Sequence, residues 1–151
     1  MNEWFECSVR YEKTLENGMQ KYVNEPYLVE AISFTEAEQR FIEDIQPFMA
    51  GEYEVKAVAK RKISELFEDD KELADKWFKC KVAFVTLDER SGIEKRKMQT
   101  MMVQASGLWD AVKRLDKVMG CTMADYEIAS VSETAIMDVF HYKETEASHG
   151  E

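Results

Sequence analysis

Trp77-Phe78-Lys79-Cys80-Lys81-Val82-Ala83-Phe84 restates, 73 positions on, the run Trp4-Phe5-Glu6-Cys7-Ser8-Val9-Arg10-Tyr11. In both runs apolar and polar residues alternate, the period-two pattern of a strand with one buried face. The same offset lays Tyr53-Glu54-Val55 on Tyr126-Glu127-Ile128, Val58 on Val131, Ile63 on Ile136 and Phe67 on Phe140. Between these blocks an offset of 74 lays Val29 on Val103, Ala31 on Ala105, Ala37 on Ala111, Arg40 on Arg114 and Phe41 on Leu115. One insertion and one compensating deletion in turns produce that difference. The expectation is a tandem duplication, too short for a solenoid, whose two copies pack with pseudo-twofold symmetry.

Working outward from the first run, Asn17-Gly18 suits a type I′ hairpin turn, and the returning strand runs through Tyr22 and Val23 to Ala31. Pro26 cannot donate to a ladder, which places that strand at an edge or gives it a bulge. Thr35-Glu36-Ala37-Glu38 reads as a capping box for a helix with the apolar stripe Ala37, Phe41, Ile45 and Phe48, ending between Pro47 and Gly51. A third strand is expected from Glu52 to about Phe67. The second copy repeats this order: the strand around Cys80, a turn at 88–92, a return through Met101, Val103 and Ala105, and a helix capped by Ser106. That helix carries the stripe Leu108, Ala111, Val112, Leu115, Val118 and Met119 and ends at Gly120; a last strand runs from Tyr126 to about Tyr142. The expected fold is α+β, two ββαβ units with amphipathic helices on antiparallel sheet. As a single domain it divides into repeat one (1–68), a charged connector (69–76), repeat two (77–142) and a polar tail (143–151). One continuous sheet and two sheets sharing a core both satisfy this pattern.

At 151 residues, 45% hydrophobic and 11% aromatic, with six glycines and two prolines, the chain is long and apolar enough to bury a core. Its net charge of −10 opposes non-specific attraction to phosphate backbones and anionic lipid. Three cysteines without a CxxC, no apolar N-terminal leader and no apolar run near 18 residues point to a reduced cytoplasmic setting and no membrane span.

The segments WFECSVRYEKTLENGMQKYVNEPYLVEAISFTEAE (4–38), DKWFKCKVAFVTLDE (75–89) and MADYEIASVSETAIMDVF (123–140) resemble an uncharacterised family, a domain of unknown function of gut Bacteroidales and associated phages. The resemblance covers nearly the whole chain. It implies an intracellular bacterial or phage-related context and carries no assigned activity or catalytic residue.

No GxGxxG, GxxxxGK[ST] or HExxH is present, so neither an enzyme nor a cofactor is expected. Cys7 and Cys80 share an inward strand position. With Cys121, His141 and His149 they are too few and too scattered for a structural metal, and they read as small buried hydrophobes. Trp4 and Trp77 have the opposite strand parity, beside Arg10 in one copy and Lys79 and Lys81 in the other. Aromatics interleaved with cations on a sheet are what single-stranded nucleic acid binding uses: Trp4 and Trp77 would stack bases, while Arg10, Lys79 and Lys81 would meet phosphates. Against this stands the packing of both tryptophans between the copies, which suits large aromatics and the negative charge better. The reading adopted is a non-enzymatic binding or adaptor protein whose exposed strand edges invite a protein partner or a homodimer. The alternative is a single-stranded nucleic-acid binder serving phage or mobile-element DNA metabolism.

Overall fold

A computed structural model describes residues 2–69 and 73–142. The middle of the expected connector and the expected polar tail at 143–151 lie outside the described residues. Strand β1 (Glu3–Thr14) pairs antiparallel with β2 (Gln20–Ala31) over twelve residues of each. The turn between them differs from the type I′ expectation. Asn17 keeps a negative φ, like every other described non-glycine residue, and Gly18 alone takes φ +84°. The Gly18 amide donates to the Leu15 carbonyl at 2.9 Å, giving an ordinary turn closed by a left-handed glycine.

Helix α1 (Phe34–Ile45) is capped two residues before the expected cap Thr35. Ser33 is the N-cap: the Glu36 amide donates to its Oγ at 3.1 Å, and the Glu36 carboxylate accepts from the Ile32 amide at 2.9 Å. Ala37, Phe41 and Ile45 are buried on one stripe, whereas Phe48, in the 3-10 turn Gln46–Phe48, is exposed. Pro47 ends the α-helix there and turns Phe48 out of the stripe. Strand β3 (Tyr53–Arg61) then pairs antiparallel with β1, with a bulge between Ser8 and Val9.

The expected third strand does not continue to Phe67. It ends at Arg61, and a separate strand, β4 (Glu65–Phe67), follows. Beyond it β5 (Lys76–Leu87), β6 (Glu94–Ala105), α2 (Leu108–Met119) and β7 (Asp125–Glu133) repeat the lengths of β1, β2, α1 and β3. The β5–β7 bulge falls between Lys81 and Val82, again 73 positions on. Helix α2 is capped by Gly107 rather than Ser106, whose amide and hydroxyl instead donate to the Asp110 carboxylate at 2.9 and 3.1 Å. The last strand also stops early, and β8 (Val139–Phe140) stands apart from it.

These strands form two four-stranded sheets, ordered β3-β1-β2-β8 and β7-β5-β6-β4. Both are mixed rather than antiparallel, because β8 runs parallel to β2 and β4 parallel to β6. The chain accordingly divides into two compact units. One holds the residues up to Lys62 with the segment from Ile136; the other is Ile63–Ala135. Each has its own core. In the first, Phe5, Cys7, Val9, Tyr27 and Val29 pack under Ala37, Phe41 and Ile45 of α1. In the second, Phe78, Cys80, Val82, Met101 and Val103 pack under Ala111, Leu115 and Met119 of α2.

Candidate functional site

Strand parity puts Trp4, Glu6, Ser8 and Arg10 on the face of their sheet away from α1, and Trp77, Lys79, Lys81 and Ala83 on the face of theirs away from α2. The five residues singled out for nucleic acid are not equivalent there. Trp4 is half-buried, edge-on to His141 at 5.6 Å. Trp77 is 2% exposed, so its ring offers no open face to a base in this conformation. Arg10 is exposed at the other end of β1 from Trp4, with its guanidinium 4.9 Å from the centre of the Tyr22 ring. It borders a cleft of about 800 Å³ that Tyr22, Phe48, Met49 and Tyr53 also line. Arg10 lies six strand positions beyond Trp4, roughly 20 Å at the usual rise.

Lys79 and Lys81 do come together. They are exposed at successive same-face positions of β5, opposite Met102 and Thr100 of β6 and opposite Ser132 and Ser130 of β7. No ion pair joins either lysine to another described residue. Further along, Arg96 of β6 and Glu127 of β7 form a two-pronged ion pair at 3.2 and 2.7 Å. Those two residues stand opposite Val85 and Ala83 of β5, so the pair spans that strand. The small Ala83 side chain leaves room for the crossing and is fully covered.

Cys7 and Cys80 are wholly buried in the two cores. Burial pushes the Cys7 thiol from its ordinary 9.0 up to about 12, with Glu38 and Glu6 adding to the effect. Burial likewise pushes Cys80 up to about 11. Both are neutral packing groups at ordinary pH rather than nucleophiles. No group of three or more His, Cys, Asp or Glu side chains is placed to hold a metal among the described residues.

The arrangement that sequence reading missed lies at the outer edges of β2 and β6. Residues 63–69, expected to close the first repeat at 68 and open the connector at 69, lie along β6 in the second unit; residues 136–142 lie along β2 in the first. The two arms are held in the same way. The Ser64 amide donates to the Thr100 carbonyl at 2.8 Å, and the Met137 amide to the Pro26 carbonyl at 2.9 Å. Leu66 and Phe67 stand opposite Met102 and Val103, as Val139 and Phe140 stand opposite Leu28 and Val29. At the far end the Asp69 amide donates to the Gln104 side chain, and the Tyr142 amide to the Glu30 carboxylate, both at 2.9 Å.

A helix arginine closes each arm. Arg114, held by Asp110 one turn back at 3.4 Å, forms an ion pair with the Asp69 carboxylate. Arg40, held by Glu36 at 3.4 Å, lays its guanidinium 4.2 Å from the centre of the Tyr142 ring. The aromatic of each arm joins a core, Phe67 the second and Phe140 the first. Pro26 fits this edge. The Leu28 amide points outward to the Asp138 carbonyl at 3.1 Å, so the missing donor two residues earlier faces the same side, where β8 has not begun.

One further feature escaped the sequence: Trp109, in the first turn of α2, is 77% exposed. Among the described residues the long strands β3 and β7 each pair on one side only. No helix among the described residues is long and apolar enough to cross a membrane. Residues 3–142 match the family model described as a domain of unknown function (DUF4494). No curated protein matches the sequence.

Proposed function

Since the chain belongs to this family of unknown function, its role is read from its geometry, and we propose that it is a non-enzymatic binding or adaptor protein that docks extended segments beside β2 and β6. The observation that carries this reading is the pair of arms, held parallel through backbone hydrogen bonds at matching positions and closed by Arg40 and Arg114. Strand addition of this kind takes affinity from the main chain and selectivity from alternate side-chain pockets. Here the selective residues are Phe67 and Phe140. The same reading takes the chain as an internal duplication, which the recurrence of the 73- and 74-residue offsets in bulges and arm contacts supports. It places the protein in the cytoplasm of a bacterial or phage-related setting, as the resemblance implies.

The test is a fluorescein-labelled peptide of residues 136–142 titrated into full-length protein carrying Phe140→Ala, whose own arm is weakened. Saturable anisotropy, competed by unlabelled peptide and lost on scrambling its order, supports docking. No binding beyond that of the scrambled peptide overturns it.

The second reading, single-stranded nucleic acid binding linked to phage or mobile-element DNA metabolism, is favoured by one observation: Lys79 and Lys81 are exposed beside three hydroxyl side chains. It predicts that short single-stranded DNA or RNA binds at low salt and that Lys79→Glu with Lys81→Glu abolishes it. Absence of binding at low salt removes this reading.

A further inference from the structure

The arms share a spacing, Ile63-x-x-Leu66-Phe67 and Ile136-x-x-Val139-Phe140, and lie parallel to equivalent strands. Each edge recognises its arm through backbone carbonyls, an acceptor at Glu30 or Gln104, a core niche for the aromatic and a helix arginine. None of these groups senses which molecule the arm comes from. The arm at 136–142 has the smaller hold, with two ladder positions in β8 against three in β4. It leaves β7 through Thr134, whose amide and hydroxyl both donate to the Trp77 carbonyl at 2.9 and 2.8 Å, and exposed Ala135, between that anchor and the arm, is the pivot.

We propose that a second copy of this chain is a partner: residues 136–142 of one molecule dock beside β2 of the other, reciprocally, giving a strand-exchanged dimer. The proposal rests on the docking reading above and names its occupant. Reciprocal exchange satisfies both β2 edges at once, so the assembly closes with twofold symmetry instead of growing. In one molecule the arm faces its own β2 at an effective concentration on the order of millimolar, so the monomer dominates at micromolar protein and the dimer grows toward millimolar. Interconversion is slow, because Phe140 must leave its place against Tyr27 and Phe41.

The experiment uses full-length protein with Cys121→Ser, leaving only the buried Cys7 and Cys80. One preparation carries Leu28→Cys and another Val139→Cys, residues that stand opposite each other across β2 and β8. The two are mixed near millimolar concentration, taken through the urea midpoint, returned to buffer and oxidised. The expected product is a disulfide-linked heterodimer, while a single chain carrying both substitutions closes within itself at micromolar concentration. Internal closure without any heterodimer overturns the proposal.

Light scattering of the unsubstituted protein gives an answer that does not depend on the cysteine variants folding. The dimer fraction is expected to rise with concentration, and deleting Thr134 and Ala135, which strains return of the arm to its own β2, to raise it roughly tenfold at micromolar protein. A protein that stays monomeric near millimolar concentration, or whose dimer is unchanged by the shortened hinge, overturns it. If the 136–142 peptide binds while the protein stays monomeric, the docking reading stands and only the second copy falls as partner. If neither occurs, both fall.

Discussion

Phe140→Ala isolates what the arm contributes to the first unit. The ring stacks on Tyr27 with centres 5.6 Å apart and planes 7° from parallel, and meets Phe41 at 6.4 Å. A fully buried phenylalanine costs about 3–5 kcal/mol on truncation to alanine. Phe140 is half-buried, which scales that to about 2 kcal/mol, and the stacked pair adds about 0.5–1 kcal/mol. The expected loss is therefore about 2–3 kcal/mol. With a urea slope of about 2 kcal/mol per molar, the midpoint of the first unit falls by about 1–1.5 M. Hydrogen exchange localises the loss. The Leu28 and Tyr142 amides, which donate to Asp138 and Glu30, should exchange roughly 30- to 150-fold faster, while those of Ser64 and Asp69 in the second unit should not change. A midpoint shift under about 0.25 M, the size of an ordinary surface substitution, refutes the reasoning. So does an equal acceleration at Ser64.

Asp69→Ala strips Arg114 of its arm partner while leaving Asp110 in place. With the Asp69 side chain only 6% exposed, the second unit should lose about 1–3 kcal/mol, read as a fall of several degrees in its thermal midpoint. Iodoacetamide at mildly alkaline pH should label exposed Cys121 in native protein, with Cys7 and Cys80 reacting only in denaturant; native labelling of either would contradict their burial. The folded state keeps protons on those two thiols that the unfolded chain releases near the ordinary 9.0. The contribution of these two thiols to stability should therefore be constant below pH 9 and be lost as pH rises toward about 11 for Cys80 and about 12 for Cys7, visible as a fall in urea midpoint from pH 8 to pH 10 that narrows on Cys7→Ala or Cys80→Ala. Gly18→Ala, at φ +84° in open space, should cost about 1–2 kcal/mol from backbone strain alone, whereas Gly51→Ala, without that φ, should be near neutral.

Much of each unit was legible because alternation and helical spacing are local. The inward row of Phe5, Cys7 and Val9 and its partner Phe78, Cys80 and Val82 follow from strand parity, and Ala37, Phe41 and Ile45 follow from helix periodicity. The caps slipped because Ser33 and Thr35 are equally good oxygen acceptors in sequence; Glu36, bonding back to Ile32, favours Ser33. The arms stayed hidden for a different reason. From Tyr53 to Phe67 no glycine or proline interrupts the run, so it reads as one strand. The break after Arg61 is imposed by β6, through Thr100 receiving the Ser64 amide. Recurrence of Ile63 and Phe67 at Ile136 and Phe140 records equivalent positions without saying which sheet each joins. Parity likewise turned Trp4 and Trp77 away from the helices but could not foretell that Trp77 alone would be fully covered.

The exchange of arms also orders events on the ribosome. The second unit is a continuous stretch, Ile63–Ala135, and holds all four of its strands once β7 has emerged. The first unit, although its helix and three strands are made earliest, waits for Val139 and Phe140 before its sheet is finished. At roughly 5–20 residues per second that wait lasts on the order of several seconds after Arg61 has been added. Throughout it, the outer edge of β2 and the surface of Tyr27 and Phe41 that Phe140 will cover stand open on a nascent chain whose neighbours on the same messenger carry the same unfilled edge. Of the two units, the one translated first is thus the one completed last.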